Sequence, residues 1–130
     1  MPLHQQRPIS PHLSVWRWRV WAITSIVHRI CAFGLYFVGM PIATWFLCAL
    51  ALGPKHHALF IGFAGSWFGQ FLLIGLTWAV LQHMASGMRH LLMDTGAAFG
   101  RAASRWSAAA CFIVSIVLTA ATWLLIWLWH

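Results

Sequence analysis

The chain has 130 residues, of which 62% are hydrophobic and 7% charged, with a mean hydropathy of +0.79. Soluble domains carry about 25% charged residues, so a soluble monomer and a disordered tail are both excluded, and an integral membrane protein remains. Eight Lys and Arg against one acid, Asp94, give a net charge of +7; these cations flank apolar runs, so topology and contact with membrane lipids account for them without nucleic acid.

Residues 1–20 hold three prolines and no continuous apolar core, unlike a cleavable signal, and they lack the Arg-rich amphipathic pattern of a transit peptide. The expectation is a multi-pass protein of the bacterial inner membrane, inserted through its own first span, with a processed organellar protein as the alternative. The first charge-free stretch is 30–53, and the absence of Gly and Pro over 21–29 extends it backwards. Helix 1 is therefore expected at about 21–52, kinked at Pro41. Gly53-Pro54 marks a turn. The second charge-free stretch, 58–82, continues through His83, so helix 2 is expected at about 58–93, and Asp94-Thr95-Gly96 opens the next connection. Within it, Gly65-x-x-x-Gly69 is a spacing that permits close helix packing. The third stretch predicts helix 3 at about 106–129. Each stretch exceeds the roughly 20 residues needed to cross the hydrocarbon core, and backbone groups in lipid must pair within a helix. The chain reads as one all-α membrane domain, 1–130, with three transmembrane helices. Cys31, Cys48 and Cys111 lie in apolar runs without paired spacing and read as buried free thiols.

Arg7, Arg17, Arg19, Arg29, Arg89, Arg101 and Arg105 fall at the start of helix 1 or around the helix 2–3 connection, against Lys55 alone in the helix 1–2 turn. Three helices put the first two regions on one side, and the positive-inside rule makes that side, with the N-terminus, cytoplasmic.

Polar groups within apolar helices are costly and are functional candidates. Ser25, His28 and Arg29 are spaced to share one face of helix 1. Arg29 lies eight residues past Trp21, roughly 12 Å along the axis. They read either as a snorkelling arginine with a serine bonded to its own backbone, or as a polar pocket offering a cation, a hydroxyl and an imidazole to an anionic or carbonyl-bearing ligand. On helix 2, His83, Gly87 and His90 share a face, with Arg89 beside them. His83 is expected at a similar depth, roughly 15 Å from the cytoplasmic end. An imidazole there, with glycine one turn on, suits axial haem ligation, because a flat macrocycle approaches the bare backbone. A histidine bonded to a neighbouring helix is the plainer alternative. A bis-imidazole haem needs a second ligand, and a partner chain is preferred over His28. Asp94 reads as a solvated start to the connection, paired with Arg89 or Arg101, with a proton route as the minority alternative.

Three segments carry a family likeness. Arg7-Pro8-Ile9-Ser10-Pro11-His12-Leu13, Ser25-Ile26-Val27-His28-Arg29 and His83-x-x-x-Gly87-x-Arg89-His90-x-x-x-Asp94 occur in order and at fitting separation. Together they resemble the cytochrome b subunits of succinate dehydrogenase, the larger membrane anchor of respiratory complex II. Trp16 stands where many members carry Tyr.

The resemblance implies a helix bundle shared with a smaller anchor subunit, and the two jointly bind haem b and reduce ubiquinone. A flavoprotein and an iron–sulfur subunit oxidise succinate and deliver the electrons, so this chain takes part in the enzyme without oxidising succinate. By resemblance, Ser25 and Arg29 belong to the quinone site and His83 is the axial haem ligand, with the other ligand on the small anchor. His28 and Arg29 lie near the haem propionates, and Ile26, Gly87, Arg89, His90 and Asp94 belong to the surroundings. Competing readings are the anchor of a fumarate reductase, oxidising menaquinol at the same site, and a haem-free structural anchor or small ion-conducting bundle.

Overall fold

The computed structural model describes residues 16–129. The segment 7–13, together with Arg7, lies outside the described residues. The elements are α1 (Val20–Gly34), a π turn (Leu35–Gly39), α2 (Met40–Ala51), α3 (Pro54–Gly65), α4 (Trp67–Asp94) and α5 (Arg101–Trp129). Three helical runs are long and apolar enough to cross a membrane: Val20–Ala51, Trp67–Asp94 and Arg101–Trp129.

The first run is α1, the π turn and α2 end to end, close to the expected 21–52. The discontinuity lies ahead of Pro41 rather than at it. A proline ring clashes with the carbonyl four residues back and brings no N–H. The wider π turn over Leu35–Gly39 relieves that crowding while the helix continues. The run ends at Gly53, whose φ of 101° reverses the chain, and Pro54 occupies the first turn of α3, where its missing N–H costs nothing.

The single helix expected over about 58–93 is two helices broken at Ser66. Ser66 is extended (ψ 154°), and its hydroxyl both donates to the Phe63 carbonyl and accepts from the Gly69 N–H, capping both ends of the break. A Cβ at Gly69 would collide with the Phe63 carbonyl oxygen, so Gly69 serves this break, whereas nothing crowds Gly65. Of the two glycines, Gly69 alone thus makes a close backbone approach, to the preceding turn rather than at a helix–helix seam. At 12 residues, α3 is about 18 Å long, too short to cross the core. It folds back on α2 through Trp45 and Phe46 against Phe60 and Phe63, with ring centroids 5.0–5.1 Å apart in the closest pairs. Helix 3 starts at Arg101 rather than about 106, because Arg101 and Arg105 sit on its first turns and a charge-free window misses them.

The packing is that of a protein in lipid. Large apolar side chains point outward, while the interior holds Thr24, Gln82, Ser86, Arg89, Ser115 and Thr119 beside Cys31, Ala49, Phe60, Ala108 and Cys111. Hydrocarbon solvates leucine as well as a core does, so the bundle is joined by small residues and hydrogen bonds. Thr24 is fully buried beside Ala108 where α1 crosses α5. Two of the three cysteines are buried; Cys48 faces outward, because it lies on the unpacked side of α2.

Candidate functional site

The polar residues of α1 and α4 meet midway along α1, at His28. His28 and His83 stack face to face, centroids 4.1 Å apart and planes 13° from parallel, and His90 meets His28 edge-on at 5.1 Å. The expectation that the two helices carry their polar groups at similar depth thus has a direct counterpart. On α4, His83, Gly87 and His90 recur at steps of four and three, which keeps them on one stripe facing His28.

Hydrogen bonds fix the protons on both rings. His83 Nδ1 lies 3.2 Å from the His28 carbonyl oxygen. A carbonyl only accepts, so Nδ1 carries the hydrogen and Nε2 of the neutral ring keeps its lone pair. Ser86 Oγ donates to the Gln82 carbonyl at 2.6 Å, which uses its single hydrogen, so His28 Nδ1 donates to Ser86 Oγ at 2.8 Å. His28 Nε2 is left with the lone pair as well. Gly87 opens the surface beside the pair: a Cβ there would meet only His28 Cε1, at 3.8 Å, an ordinary contact. Nothing among the described residues demands glycine at this position.

Ser25 is half-buried, and Ile26 and Arg29 are exposed on the outward side of α1 next to His28. They flank the histidine cluster without bonding to it. Arg89 turns the other way. It is 7% exposed, and its guanidinium donates to Ser107 Oγ at 3.1 Å and to Ser104 Oγ at 3.0 Å on α5. Asp94, the last residue of α4, is exposed, and the expected pairing with Arg89 gives way to these serines.

Sequence reasoning missed the neutral polar layer behind the histidines. Gln82 and Ser115 are both fully buried, and Ser115 donates to Gln82 Oε1 at 2.7 Å. Gln82 Nε2 is buried with no hydrogen-bond partner among the described residues. The signal was available: Ser104, Ser107, Cys111, Ser115 and Thr119 recur at steps of three and four along helix 3. Serine and threonine are cheap in membrane helices because each can bond its own preceding turn, as Thr119 does here, so they draw less attention than His or Arg.

In chemical terms, the arrangement offers an imidazole with a directed lone pair beside an open helix surface, and next to it an exposed guanidinium and a hydroxyl. The first suits a transition-metal macrocycle that needs one protein nitrogen per face; the second suits a ligand that carries or develops negative charge on oxygen.

Known proteins supply the context. The pattern of the family described as succinate dehydrogenase/fumarate reductase transmembrane subunit matches residues 4–122. The chain is 37% identical over 116 residues to the succinate dehydrogenase cytochrome b556 subunit of Paracoccus denitrificans, covering 89% of this chain and 88% of that protein. It is 30% identical over 129 residues to the subunit of that name from Coxiella burnetii, covering 98% of this chain and all of that one. A plant relative, the succinate dehydrogenase cytochrome b560 subunit of Marchantia polymorpha, is 35% identical over 94 residues, 69% of each chain. With the family pattern spanning most of its length and three membrane helices in place, the chain belongs to the succinate dehydrogenase/fumarate reductase transmembrane subunits, as a cytochrome b subunit of the succinate dehydrogenase type.

Proposed function

We propose that this chain is the haem b-bearing anchor of a succinate:ubiquinone oxidoreductase in a bacterial inner membrane, with its N-terminus cytoplasmic. It tethers an iron–sulfur subunit and a flavoprotein and forms part of the site where ubiquinone is reduced. The observation that supports this reading is the His83 tautomer: the His28 carbonyl holds Nδ1–H, which leaves Nε2 free to ligate, and ligating histidines are commonly held by such a second hydrogen bond. Gly87, one turn on, leaves the surface bare for a flat group.

The second haem-holding nitrogen would come from another chain on this reading, because His28 and His83 lie ring against ring at 4.1 Å. One iron cannot take both, and the smaller anchor subunit is the natural source. When bound, the haem supplies a one-electron store beside the quinone site.

This chain's own residues then have definite tasks. His83 Nε2 would hold the iron. The Arg29 guanidinium would meet the propionates, and His28 would do so with a proton on Nε2, since a carboxylate only accepts. Reduction builds negative charge on a quinone carbonyl oxygen; Arg29, charged at any physiological pH, stabilises it, and the Ser25 hydroxyl donates a hydrogen bond to it. Protons come from the cytoplasmic side, where α1 begins. The relatives named for succinate dehydrogenase favour this direction over fumarate reduction with menaquinol.

The test is a reduced-minus-oxidised visible spectrum of the purified assembly. A b-type band that succinate reduces supports cofactor and partners in one step. Succinate-driven quinone reduction without a haem band removes the His83 assignment but keeps the enzyme. Neither signal in an intact preparation leaves a structural anchor.

A further inference from the structure

Arg89 is a cation held inside the bundle without a counter-charge among the described residues. Its Nε donates to Ser107 Oγ, and one Nη reaches Ser104 Oγ and the Ser104 carbonyl, at 3.1, 3.0 and 3.4 Å. All three partners are neutral. The other Nη makes no hydrogen bond to a described residue, and Asp94 is not among the partners. A guanidinium does not shed its proton, and a buried charge needs an opposite charge or full hydrogen bonding. Serines hold this one in place and leave its charge unanswered.

Arg89 also lines a groove of about 610 Å³ between α4 and α5, whose other walls include Ala85, Met88, Leu92, Ala110 and Val114. The groove follows α4 from Ala85 to its cap residue Thr95, roughly 15 Å. At about 100° per residue, Ala85, Met88, Arg89 and Leu92 lie roughly 120–180° around α4 from His83. The groove is therefore on the back of the helix, away from the face where a cofactor and a partner anchor are proposed to sit. Arg89 is five residues from the end of α4, roughly 8 Å along the axis, and its guanidinium reaches Ser104 and Ser107 on the first turns of α5. Arg101 and Arg105, on the first turns of α5, are exposed at the same end and add positive potential there.

An apolar trough about one acyl chain in length, with an unanswered guanidinium on its wall, is complementary to an amphiphile with an anionic head. We propose that this groove is a binding site for an anionic phospholipid, its phosphate held by Arg89 and one acyl chain lying along Ala85, Met88, Ala110 and Val114. The lipid supplies the counter-charge that the chain lacks and closes the seam between α4 and α5. The site stands apart from the histidine cluster and does not rest on the haem or quinone reading.

The experiment uses the whole purified assembly in phosphatidylcholine nanodiscs, with acyl-chain spin-labelled phosphatidylglycerol or phosphatidylcholine as the probe. Phosphatidylglycerol is expected to show an immobilised component that phosphatidylcholine does not, with its affinity falling about tenfold in Arg89→Gln. Ala110→Phe, which keeps the guanidinium and fills the trough, is expected to displace the probe too, and it decides the matter if Arg89→Gln does not assemble. Equal immobilisation of both lipids, or full retention of phosphatidylglycerol in Ala110→Phe, overturns the proposal. A cross-link from position 89 to an acidic residue of another subunit, with no immobilised lipid, assigns the counter-charge to a protein partner and also overturns it.

Discussion

His28 and His83 are stacked in van der Waals contact, and the backbone carbonyl of the first holds the Nδ1 hydrogen of the second across 55 residues of sequence. One histidine thus orients the other through its main chain and not its ring. Substituting His28 should leave that carbonyl in place, which separates the roles of the two residues.

His83→Ala is expected to strip haem from the assembly while the subunits remain together. His28→Ala is expected to keep a b-type band with a shifted potential, because the ligand and its carbonyl partner survive. Pyridine haemochrome content and a redox titration read both. Haem retained without His83 but lost without His28 reverses the assignment.

Arg29→Leu should abolish electron transfer from succinate to ubiquinone and spare transfer to an artificial acceptor that bypasses the membrane. Removing a charge-assisted donor from a developing oxyanion costs roughly 3 kcal/mol, a rate loss of about 10²-fold. A parallel fall in both assays points to failed assembly instead.

Gly69→Ala should destabilise the chain, because its Cβ meets the Phe63 backbone and not a side chain that can swing away. Overpacking of this kind costs about 1–3 kcal/mol. Gly65→Ala, four residues earlier with nothing within 4 Å, is the matched control and should be close to neutral. Thermal denaturation of the two variants in one detergent makes the comparison; equal midpoints would show that the break at Ser66 gives way easily.

Ser115→Ala should cost about 1 kcal/mol, since it leaves the Gln82 Oε1 without its 2.7 Å donor in a fully buried setting. Gln82→Leu combined with Ser115→Ala removes both polar groups and should recover much of that loss. A double-mutant cycle on stability measures the coupling, and strict additivity would mean that the pair does not interact in the membrane.

Asp94→Asn should change haem content and assembly little, because Asp94 is exposed at the end of α4 and Arg89 bonds to Ser104 and Ser107 instead. Steady-state quinone reduction is the sensitive readout; a loss confined to that assay assigns the carboxylate to proton delivery.

What the sequence by itself determined was everything that depends on solvent and period. Nine charged residues among 130 cannot cover a soluble surface, so the medium is lipid, and lipid forces unbroken apolar stretches into helices. The i, i+4 spacing of Ser25 with Arg29 and of His83 with Gly87 then places these residues on faces before any coordinates exist. Only the tertiary structure decided which faces meet and where the helices yield. The break at Ser66 looks like uninterrupted hydrophobicity in sequence, because a serine that caps its own helix carries no hydropathic mark. The choice of Arg89 for the α5 serines over Asp94 depends on the approach of two helices, which local spacing does not encode. The proton on His83 Nδ1 was likewise set by a carbonyl one helix away, because a tautomer is fixed by whichever acceptor the fold brings to the ring.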